Sequence, residues 1–435
     1  MSDYQEAVDW LFNVRRLGPD RTLEPAHRLL GLLGNPQSAF KAIHITGTNG
    51  KGSTSAMIAS ILRAAGYKVG LYTSPHLDRF TERIVVDGEE MPEGDVVRLT
   101  RLIRPLVESL DAEPERVHPL FFDIVTAMAF KHFEERGIDF AVLEVGMGGR
   151  LDATNVVQPL ISVITNISLE HTQVLGDTVL KIAYEKAGII KPNSVLVTAT
   201  QDDSVYALFR ETCERLNTAI YRVGKDITFK RLGGDLKSQT FTLKGLRGSY
   251  TLSTPLLGGY QLYNAAAAVG AVEALSRYNI DISGEAIADG LRRVRWPGRL
   301  EVMQEEPLVV VDSAKDASAM RALAESVGDL PHKKLIAVVS ISSDKNIPEM
   351  IANLAPVVDA FVVTSHTVMG RAAERERIGA EAGRRGKPWE SVEKVPDAVD
   401  RALHLAGKGD MVLVTGSVFA VGEARRRWAK QGRRP

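Results

Sequence analysis

A glycine-rich run that follows a strand-like segment limits the possible folds of this chain more than any other feature. Residues 44–53 read His-Ile-Thr-Gly-Thr-Asn-Gly-Lys-Gly-Ser, and residues 55–62 carry apolar side chains at helical spacing. Strand, glycine loop and helix together predict a phosphate-binding loop, because glycines let backbone N–H groups turn toward an anion and the helix N-terminus adds donors. In such a loop Lys51 reaches the β- and γ-phosphates and Ser53 lies near Mg²⁺. The spacing departs from the strict Walker form at Ile45, so an ordinary glycine turn capped by Ser53 is the alternative.

The composition argues against several classes of protein. The 435 residues carry no net formal charge, so there is no electrostatic footprint for nucleic acid. Cys213 is the single cysteine, which excludes a disulfide within the chain and a cysteine-based zinc cluster. The first residues lack a signal-peptide pattern, and no apolar run has the length of a membrane span. We therefore expect a cytoplasmic protein that binds neither nucleic acid nor membrane, and we expect a monomer.

Strand and helix signals alternate along the chain in two series. The first series contains buried strand-like runs such as Phe140–Val145 and a β-rich excursion over about 222–256. The second series begins after Trp296-Pro297-Gly298-Arg299, where proline and glycine end a helix. The alternation predicts the α/β class. We expect a P-loop-containing, mostly parallel sheet domain over residues 1–298, followed by a smaller Rossmann-like α/β domain over 299–435.

Two polar side chains follow strands of the first predicted domain. Glu144 lies near the end of the run Phe140–Val145, and His171 follows the run Leu160–Thr165. Ligands collect at the C-terminal ends of parallel strands, so we expect both side chains to converge with the phosphate loop, where a carboxylate and a hydroxyl suit Mg²⁺. The alternatives are a salt-bridged strand-end acid for Glu144 and a locally hydrogen-bonded helix-entry residue for His171.

A lysine falls on the apolar stripe of a predicted helix. The helix runs from Asp177, the predicted N-cap, to Gly188, and Lys186 shares its stripe with Ile182. A lysine that faces inward loses hydration and needs a partner. Two interpretations remain open. Lys186 is either an amine that takes part in chemistry, or a lysine that snorkels or pairs with an acid such as Glu170.

A longer series of motifs runs through the chain in order. It comprises Thr46–Ser53, Thr73–Leu77, Thr81–Arg83, Leu143–Asn155, Leu169–Thr172, Glu185–Ile189, Gln261 with Asn264–Ala266, Trp296–Glu301 and Leu413–Ser417. In this series the chain resembles folylpolyglutamate synthase and dihydrofolate synthase, which are members of the Mur ligase superfamily.

The resemblance implies an ATP-dependent ligase that forms an amide bond. ATP would phosphorylate a carboxylate of a folate or pterin acceptor, and the amine of L-glutamate would attack the acyl phosphate. Mg²⁺ is the implied metal. By the same resemblance the nucleotide contacts are Gly47, Thr48, Asn49, Gly50, Lys51, Gly52, Ser53, Asn264, Arg299 and Asp312. The implied metal ligands are Ser74 and Glu144, which hold one Mg²⁺, and His171, which helps to hold a second. The implied catalytic residues are Lys51, His171 and Lys186, and Lys186 matches the lysine that is carbamylated in this family. We expect Lys315, where the chain departs from the family pattern, to be catalytic as well.

One motif departs from the family pattern. Where the family usually reads Asp-x-Ala-His-Asn-Pro, this chain reads Asp312-Ser313-Ala314-Lys315-Asp316-Ala317. Lys315 can supply positive charge at the histidine position but cannot shuttle a proton near neutral pH. The departure leaves open a ligase for a methanopterin-like pterin, and the motifs do not separate dihydropteroate from folyl-glutamate acceptors. A P-loop ATPase without ligase activity and a catalytically silent nucleotide-binding subunit also remain open.

Overall fold

The computed structural model describes residues 2–15, 22–113 and 117–429. The chain forms two compact units that alternate in sequence. The first takes Met1–Lys230, Phe241–Ser253 and Tyr263–Val294, and the second takes Arg231–Thr240, Thr254–Leu262 and Arg295–Pro435. These units differ from a single division at 298/299 because two earlier segments belong with the second unit. Leu257, in one of those segments, is buried in the second unit's core.

An eight-stranded sheet forms the centre of the first unit. Its strands are β1 (Lys41–Thr46), β2 (Val69–Tyr72), β3 (Ile84–Val86), β4 (Glu89–Glu90), β5 (Phe140–Glu144), β6 (Ile161–Ile164), β7 (Val195–Thr198) and β8 (Ala219–Arg222). They lie in the order β4-β3-β2-β5-β1-β6-β7-β8. All neighbouring pairs are parallel except β2 with β3 and β3 with β4. The central strands are apolar and almost wholly buried, as expected when helices cover both faces of a parallel sheet.

Ten α-helices lie in or enter the first unit within the described ranges. They are α1 (Asp3–Asn13), α2 (Glu24–Leu32), α3 (Lys51–Ala64), α4 (Glu93–Asp111), α5 (Phe121–Arg136), α6 (Thr172–Leu175), α7 (Val179–Ala187), α8 (Asp203–Arg215), α9 (Gly259–Ala274) and α10 (Gly284–Arg293). Helix α9 begins in the second unit and continues in the first. One core cluster contains Ala183 of α7 and Phe209 of α8, which fixes α7 against the sheet.

Helix α7 begins one residue later than the sequence analysis predicted. Its N-cap is Thr178, whose Oγ1 accepts a hydrogen bond from Lys181 N at 3.3 Å. The predicted cap, Asp177, instead accepts a hydrogen bond from the Lys181 ammonium at 2.8 Å. Asp and Thr are both favourable N-caps, and here the threonine occupies the extended position that precedes the first helical turn. The prediction that Lys186 faces inward is confirmed, since it is 1% exposed.

A small sheet and a second large sheet complete the fold. The small sheet has the order β11-β10-β9, with β9 (Thr228–Gly234), β10 (Gln239–Lys244) and β11 (Ser249–Thr254), and it lies in the predicted β-rich excursion. The second unit contains β12 (Glu301–Glu305), β13 (Leu308–Val311), β14 (Leu335–Val339), β15 (Ala360–Ser365), β16 (Trp389–Lys394) and β17 (Met411–Thr415), in the order β12-β13-β17-β14-β15-β16. Only β12 is antiparallel to its neighbour.

Five helices follow strands of this second sheet. They are α11 (Ala317–Val327), α12 (Ile347–Leu354), α13 (Arg375–Arg384), α14 (Val395–Leu405) and α15 (Val418–Ala429). The predicted α/β class, with two mostly parallel sheets, is confirmed. In the part of the chain that the structure describes, no helix is both long enough and apolar enough to cross a membrane.

Candidate active site

The predicted phosphate loop connects β1 to α3 and requires glycine at two positions. Gly47 has a φ of 141° and Gly50 a φ of 83°, and side chains other than hydrogen are strained there. A Cβ atom on Gly47 would lie 1.8 Å from Thr165 Oγ1. A Cβ atom on Gly50 would lie 2.3 Å from Asn264 Oδ1. The loop is therefore packed closely on its neighbours, and Asn264 of α9 lies directly against it.

Residues that follow β6 hold the loop in place. Asn166 accepts hydrogen bonds from Thr48 N through its backbone oxygen and from Asn49 N through Oδ1, both at 2.8 Å. Thr165 Oγ1 donates to Asn49 O at 2.6 Å. The first intrahelical bond of α3 runs from Thr54 N to Gly50 O, so the helix directs its first-turn N–H groups toward the loop. Loop and helix together have the backbone geometry that the predicted phosphate loop requires.

Two lysines meet at one carbonyl group of the loop. Lys51 Nζ donates to Gly47 O at 2.9 Å and to Thr48 O at 3.0 Å. Lys186 Nζ donates to the same Gly47 O at 2.8 Å and to Glu170 Oε1 at 2.8 Å. Lys186 and Glu170 are 1% and 6% exposed, so they form a buried ion pair. The structure therefore shows the pairing with Glu170 that the sequence left as one interpretation, and it places this amine under the phosphate loop.

The structure brings the predicted metal ligands Ser74 and Glu144 together. Glu144 ends β5 and is 5% exposed, and its Oε2 accepts a hydrogen bond from Ser74 N at 3.0 Å. Because Glu144 pairs with Ile45 of β1, it lies beside the start of the phosphate loop. His171 is exposed and occupies a left-handed conformation with a φ of 45° at the N-cap of α6. It follows Glu170 directly, which places its backbone next to the buried ion pair.

No preformed cluster of metal ligands accompanies these residues. Among the described residues, no three His, Cys, Asp or Glu side chains are grouped so that they could hold a metal ion. Mg²⁺ commonly keeps several waters and binds one or two protein carboxylates together with substrate phosphates. The oxygen-rich pair of Ser74 and Glu144 beside the loop therefore fits Mg²⁺ better than a metal that needs a complete protein cage.

The second unit holds Asp312 in a network of hydrogen bonds. Its Oδ2 accepts from Leu300 N at 2.8 Å and from the Tyr260 hydroxyl at 3.0 Å, and its Oδ1 accepts from Ala314 N at 2.8 Å. Burial raises the pKa of Asp312, and the nearby Arg299 charge opposes that rise. Burial and the Asp312 carboxylate raise the pKa of Tyr260 well above its ordinary value. Sequence reasoning missed Tyr260, which no local pattern marks.

Lys315 and Arg299 also belong to the second unit. Lys315 is half-buried and precedes Asp316, the N-cap of α11, whose Oδ1 accepts from Ala319 N at 2.9 Å. Arg299 Nη1 donates to Gly298 O at 3.2 Å. The sequence also missed a salt bridge between Arg425 Nε and Glu301 Oε2 at 2.8 Å, which supports this turn. Glu301 Oε2 accepts from Gly298 N at 2.7 Å as well.

Comparison with known proteins identifies the family. Residues 45–272 match the Mur ligase middle domain, and residues 298–418 match the Mur ligase glutamate ligase domain. A Bacillus subtilis protein named dihydrofolate synthase/folylpolyglutamate synthase is 35% identical over 98% of this chain and 99% of its own length. This chain belongs to the folylpolyglutamate synthase/dihydrofolate synthase family of Mur ligases.

Two further members of the family are similar along nearly the whole chain. A Halobacterium salinarum protein named probable bifunctional folylpolyglutamate synthase/dihydropteroate synthase is 40% identical over 98% of this chain. The chain spans about half the length of this archaeal relative, 52%. The crystal structure of Mycobacterium tuberculosis folylpolyglutamate synthase complexed with ADP and AMPPCP superposes with a TM-score of 0.92, at 33% identity, over 100% of this chain and 99% of that one. None of these names supports a methanopterin ligase or an ATPase without ligase activity.

Proposed function

We propose that this chain is an ADP-forming ligase that joins L-glutamate to a carboxylate of a folate or pterin acceptor. The observation that carries the proposal is the phosphate loop. It contacts Asn264 and Lys186 and begins beside Glu144, at the C-terminal ends of the central parallel strands. Family membership supplies the reaction type, since the matching relatives are named for this ligation. The nucleotide-complexed M. tuberculosis structure supports ATP as the phosphoryl donor.

The proposed reaction has two steps, phosphorylation of the acceptor carboxylate and then formation of the amide. The acceptor carboxylate attacks the γ-phosphorus of ATP, the bond to the bridging oxygen breaks, and ADP leaves as an acyl phosphate forms. The α-amine of L-glutamate then attacks the acyl carbon and loses a proton, and the carbon–oxygen bond to phosphate breaks. Amide and inorganic phosphate are the products. A carboxylate is a poor electrophile, and phosphorylation supplies its leaving group, so positioning and charge neutralisation account for most of the catalysis.

The chain's own groups hold the phosphates of ATP in this scheme. Residues 47–53 and the N-terminus of α3 direct N–H groups and a partial positive charge at an anion. Lys51, which now donates to two loop carbonyls, has the reach to donate to phosphate oxygens instead. Asn264, which lies against Gly50, is a further proposed nucleotide contact. Arg299 and Asp312 are the proposed nucleotide contacts of the second unit, and Lys315 neutralises charge on the reacting phosphate.

Ser74 and Glu144 are the proposed ligands of one Mg²⁺, and His171 is a proposed ligand of a second. These ions would neutralise charge on the phosphates and orient them. Glu144 is buried, so its carboxylate is held in one place by β5 and by the Ser74 amide. Ser74 supplies a hydroxyl on the same short segment. His171 has a backbone fixed in an uncommon conformation, which keeps its imidazole at the N-terminus of α6.

Lys186 is the proposed site of carbamylation. In its amine form it donates to Gly47 O and to Glu170. A carbamate forms when the neutral amine attacks CO₂ and loses a proton, and it replaces a cation by an anion next to the loop. The modification would therefore require Lys186 to leave Glu170. An electron-density map of the purified protein at high resolution distinguishes a carbamate from an ammonium paired with the acid.

We also propose that residues 1–298 form the main ATP-binding domain, and that residues 299–435 bind glutamate in addition to supplying Arg299, Asp312 and Lys315. The match of residues 298–418 to a glutamate ligase domain supports this division. The proposed chemistry needs one copy of the chain, and size-exclusion chromatography tests whether the protein is a monomer.

Phosphate release tests the proposed function directly. The purified chain is incubated with ATP, Mg²⁺ and L-glutamate and with dihydropteroate, tetrahydrofolate or a methanopterin-type acceptor, and the amide product is identified by mass spectrometry. We expect release that needs both glutamate and a folate-type acceptor. Release without glutamate would favour an ATPase, and ATP binding without any release would favour a silent subunit. The variant Lys51→Ala is the control for contaminating ATPases.

A further inference from the structure

A buried chain of three polar side chains lies beneath the phosphate loop, and the proposed reaction does not use it. His44 is on β1, is 0% exposed, and has its Nε2 2.8 Å from Thr154 Oγ1. Thr154 Oγ1 lies 2.5 Å from Asp152 Oδ1. His44 and Thr154 are 110 residues apart in the sequence, so this contact joins distant parts of the first unit.

The distances determine which atom carries each proton. Two oxygens that approach to 2.5 Å need a hydrogen between them, so the Thr154 hydroxyl donates to the Asp152 carboxylate. The Thr154 oxygen must then accept a hydrogen bond from His44 Nε2–H. The other ring nitrogen, Nδ1, is buried and has no hydrogen-bond partner among the residues that the structure describes. Burial, with a contribution from the Lys191 charge, lowers the pKa of His44 to about 3, which keeps the imidazole neutral.

Asp152, at the other end of this row of three side chains, holds the start of the loop that follows β5. Asp152 Oδ2 accepts hydrogen bonds from Gly146 N and Met147 N, each at 3.1 Å. Asp152 Oδ1 accepts from Thr154 N at 3.1 Å as well. The Asp152 carboxylate therefore ties the end of the loop to its start. It fixes the Gly146 and Met147 amides, which directly follow Glu144 and Val145.

The same loop contacts both β1, which leads into the phosphate loop, and α7, which carries Lys186. Thr46 Oγ1, two residues from His44 on β1, donates to Gly148 O at 2.6 Å. Arg150 N donates to Glu185 O of α7 at 2.8 Å. Asn155 Nδ2 donates to Gly188 O, which follows α7, at 3.1 Å. The loop over residues 146–155 is thus a bridge between the strand of Glu144 and the helix of Lys186.

We propose that His44 is a positioning residue, which acts through Thr154 and Asp152 to fix the bridge loop 146–155 and hence the placement of Glu144 relative to Lys186. The inference rests on the proposed function for its catalytic consequence but not for its structural one. A buried ring nitrogen without a protein partner costs free energy, and an apolar side chain would avoid that cost. What an apolar side chain cannot supply is the N–H that orients the Thr154 hydroxyl toward Asp152.

Three variants separate positioning from simple packing. His44→Leu removes the donor, whereas His44→Gln keeps an N–H near the position of Nε2. Thr154→Val removes the hydroxyl that links His44 to Asp152, with little change of shape. It provides the same test if His44→Leu fails to fold. The matched control is Ser162→Ala. Ser162 is also 0% exposed and pairs with His44 on the neighbouring strand, but its hydroxyl donates to Ile189 O.

Hydrogen exchange and kinetics are then measured on each full-length variant. We expect His44→Leu and Thr154→Val to raise amide exchange in the peptide that covers 145–155 at least tenfold. We also expect a half-saturating Mg²⁺ concentration at least fivefold higher and a tenfold lower kcat. His44→Gln should stay within threefold of wild type, and the double variant His44→Leu/Thr154→Val should be no worse than His44→Leu. Ser162→Ala should lower the unfolding temperature without these changes.

The outcomes distinguish this inference from the proposed function. If His44→Leu changes only the unfolding temperature, or if Ser162→Ala produces the same kinetic losses, the positioning role is wrong. If the wild type shows no glutamate-dependent turnover, the proposed function fails, and the exchange of 145–155 still decides whether His44 fixes the loop. Unchanged exchange in both His44→Leu and Thr154→Val would overturn the inference.

Discussion

Replacing Lys186 by methionine tests the buried ion pair beneath the phosphate loop. The substitution keeps most of the aliphatic stem and removes the ammonium that neutralises Glu170, which is 6% exposed. Gly47 O retains Lys51 Nζ as a donor at 2.9 Å, so the loss of stability comes mainly from the Glu170 carboxylate. Removing one partner of a buried pair typically costs about 3–5 kcal/mol.

The pH dependence of that loss can be worked out from ordinary ionisation. In Lys186→Met the buried Glu170 side chain avoids the cost of a charge without its lysine if it takes up a proton. Because a glutamate in water ionises near pH 4.3, protonation costs about 3.7 kcal/mol at pH 7 and about 1 kcal/mol at pH 5. The unfolded state loses this proton first as pH rises above about 4.3, so the penalty in Lys186→Met grows with pH. We therefore expect Lys186→Met to lose about 3–4 kcal/mol at pH 7 and about 1 kcal/mol at pH 5.

Urea unfolding of the wild type and of Lys186→Met at pH 7 and pH 5 measures this loss of unfolding free energy. If two unfolding transitions appear, the one that responds to the substitution is used. The double variant Lys186→Met/Glu170→Gln is the control, because it removes both charges, and it should recover most of the stability at pH 7. If the double variant folds but does not release phosphate, Lys186 has a chemical role beyond its ion pair. A loss in Lys186→Met of less than about 1 kcal/mol at pH 7, or an equal loss at both pH values, would refute the reasoning.

Four further predictions concern the remaining site residues. Lys51→Ala should abolish phosphate release at an unchanged unfolding temperature, because its amine contacts the loop rather than the core; near-native rates would exclude its phosphate role. Glu144→Gln should need more Mg²⁺ for half-maximal rate and be partly rescued by it, and His171→Ala should slow turnover more than it destabilises; matched losses of rate and stability would favour structural roles. Lys315→Ala should lower the single-turnover rate while ATP affinity stays near wild type, and Lys315→His should recover part of it; a rate equal to wild type would remove Lys315 from catalysis. The pKa of His44 is about 3 in the folded protein, against an ordinary 6.5, so the unfolded state binds the proton first as pH falls and stability is lost between those values. The unfolding free energy, measured by urea titration, should fall less steeply between pH 6 and pH 4 in His44→Gln than in the wild type. The difference in slope should be up to about 1.4 kcal/mol per pH unit.

Features set by short stretches of chain were predictable from the sequence. The strand, glycine loop and helix around Lys51 lie within one continuous segment, and the α/β class follows from repeated local alternation. The burial of Lys186 follows from its helical spacing to Ile182. The N-cap of α7 was not predictable, because Asp177 and Thr178 are adjacent and both suit the position.

Contacts between distant segments were beyond the sequence. The pairing of Arg425 with Glu301 joins residues 124 apart. His44 and Thr154 meet because β1 and β5 are neighbours in the sheet, and no spacing rule encodes that neighbourhood. Tyr260 similarly contacts Asp312 although the two residues are 52 positions apart in the sequence. Pattern reasoning therefore located the loop, its lysines and the Glu170 partner of Lys186, but not the more distant side chains that hold the loop in place.

The alternation of the two units along the chain limits how this protein can be recombined with its relatives. The chain passes from one unit to the other after residues 230, 240, 253, 262 and 294. Leu257 precedes the last of these crossings yet shares a core with Met320, and Leu236 packs against the same core. A chimera that exchanges everything after 298 would thus pair foreign helices with native residues 231–240 and 254–262. Exchanging those two segments together with the C-terminal segment Arg295–Pro435 keeps each core from a single parent, and such hybrids should be the ones that accumulate in soluble form.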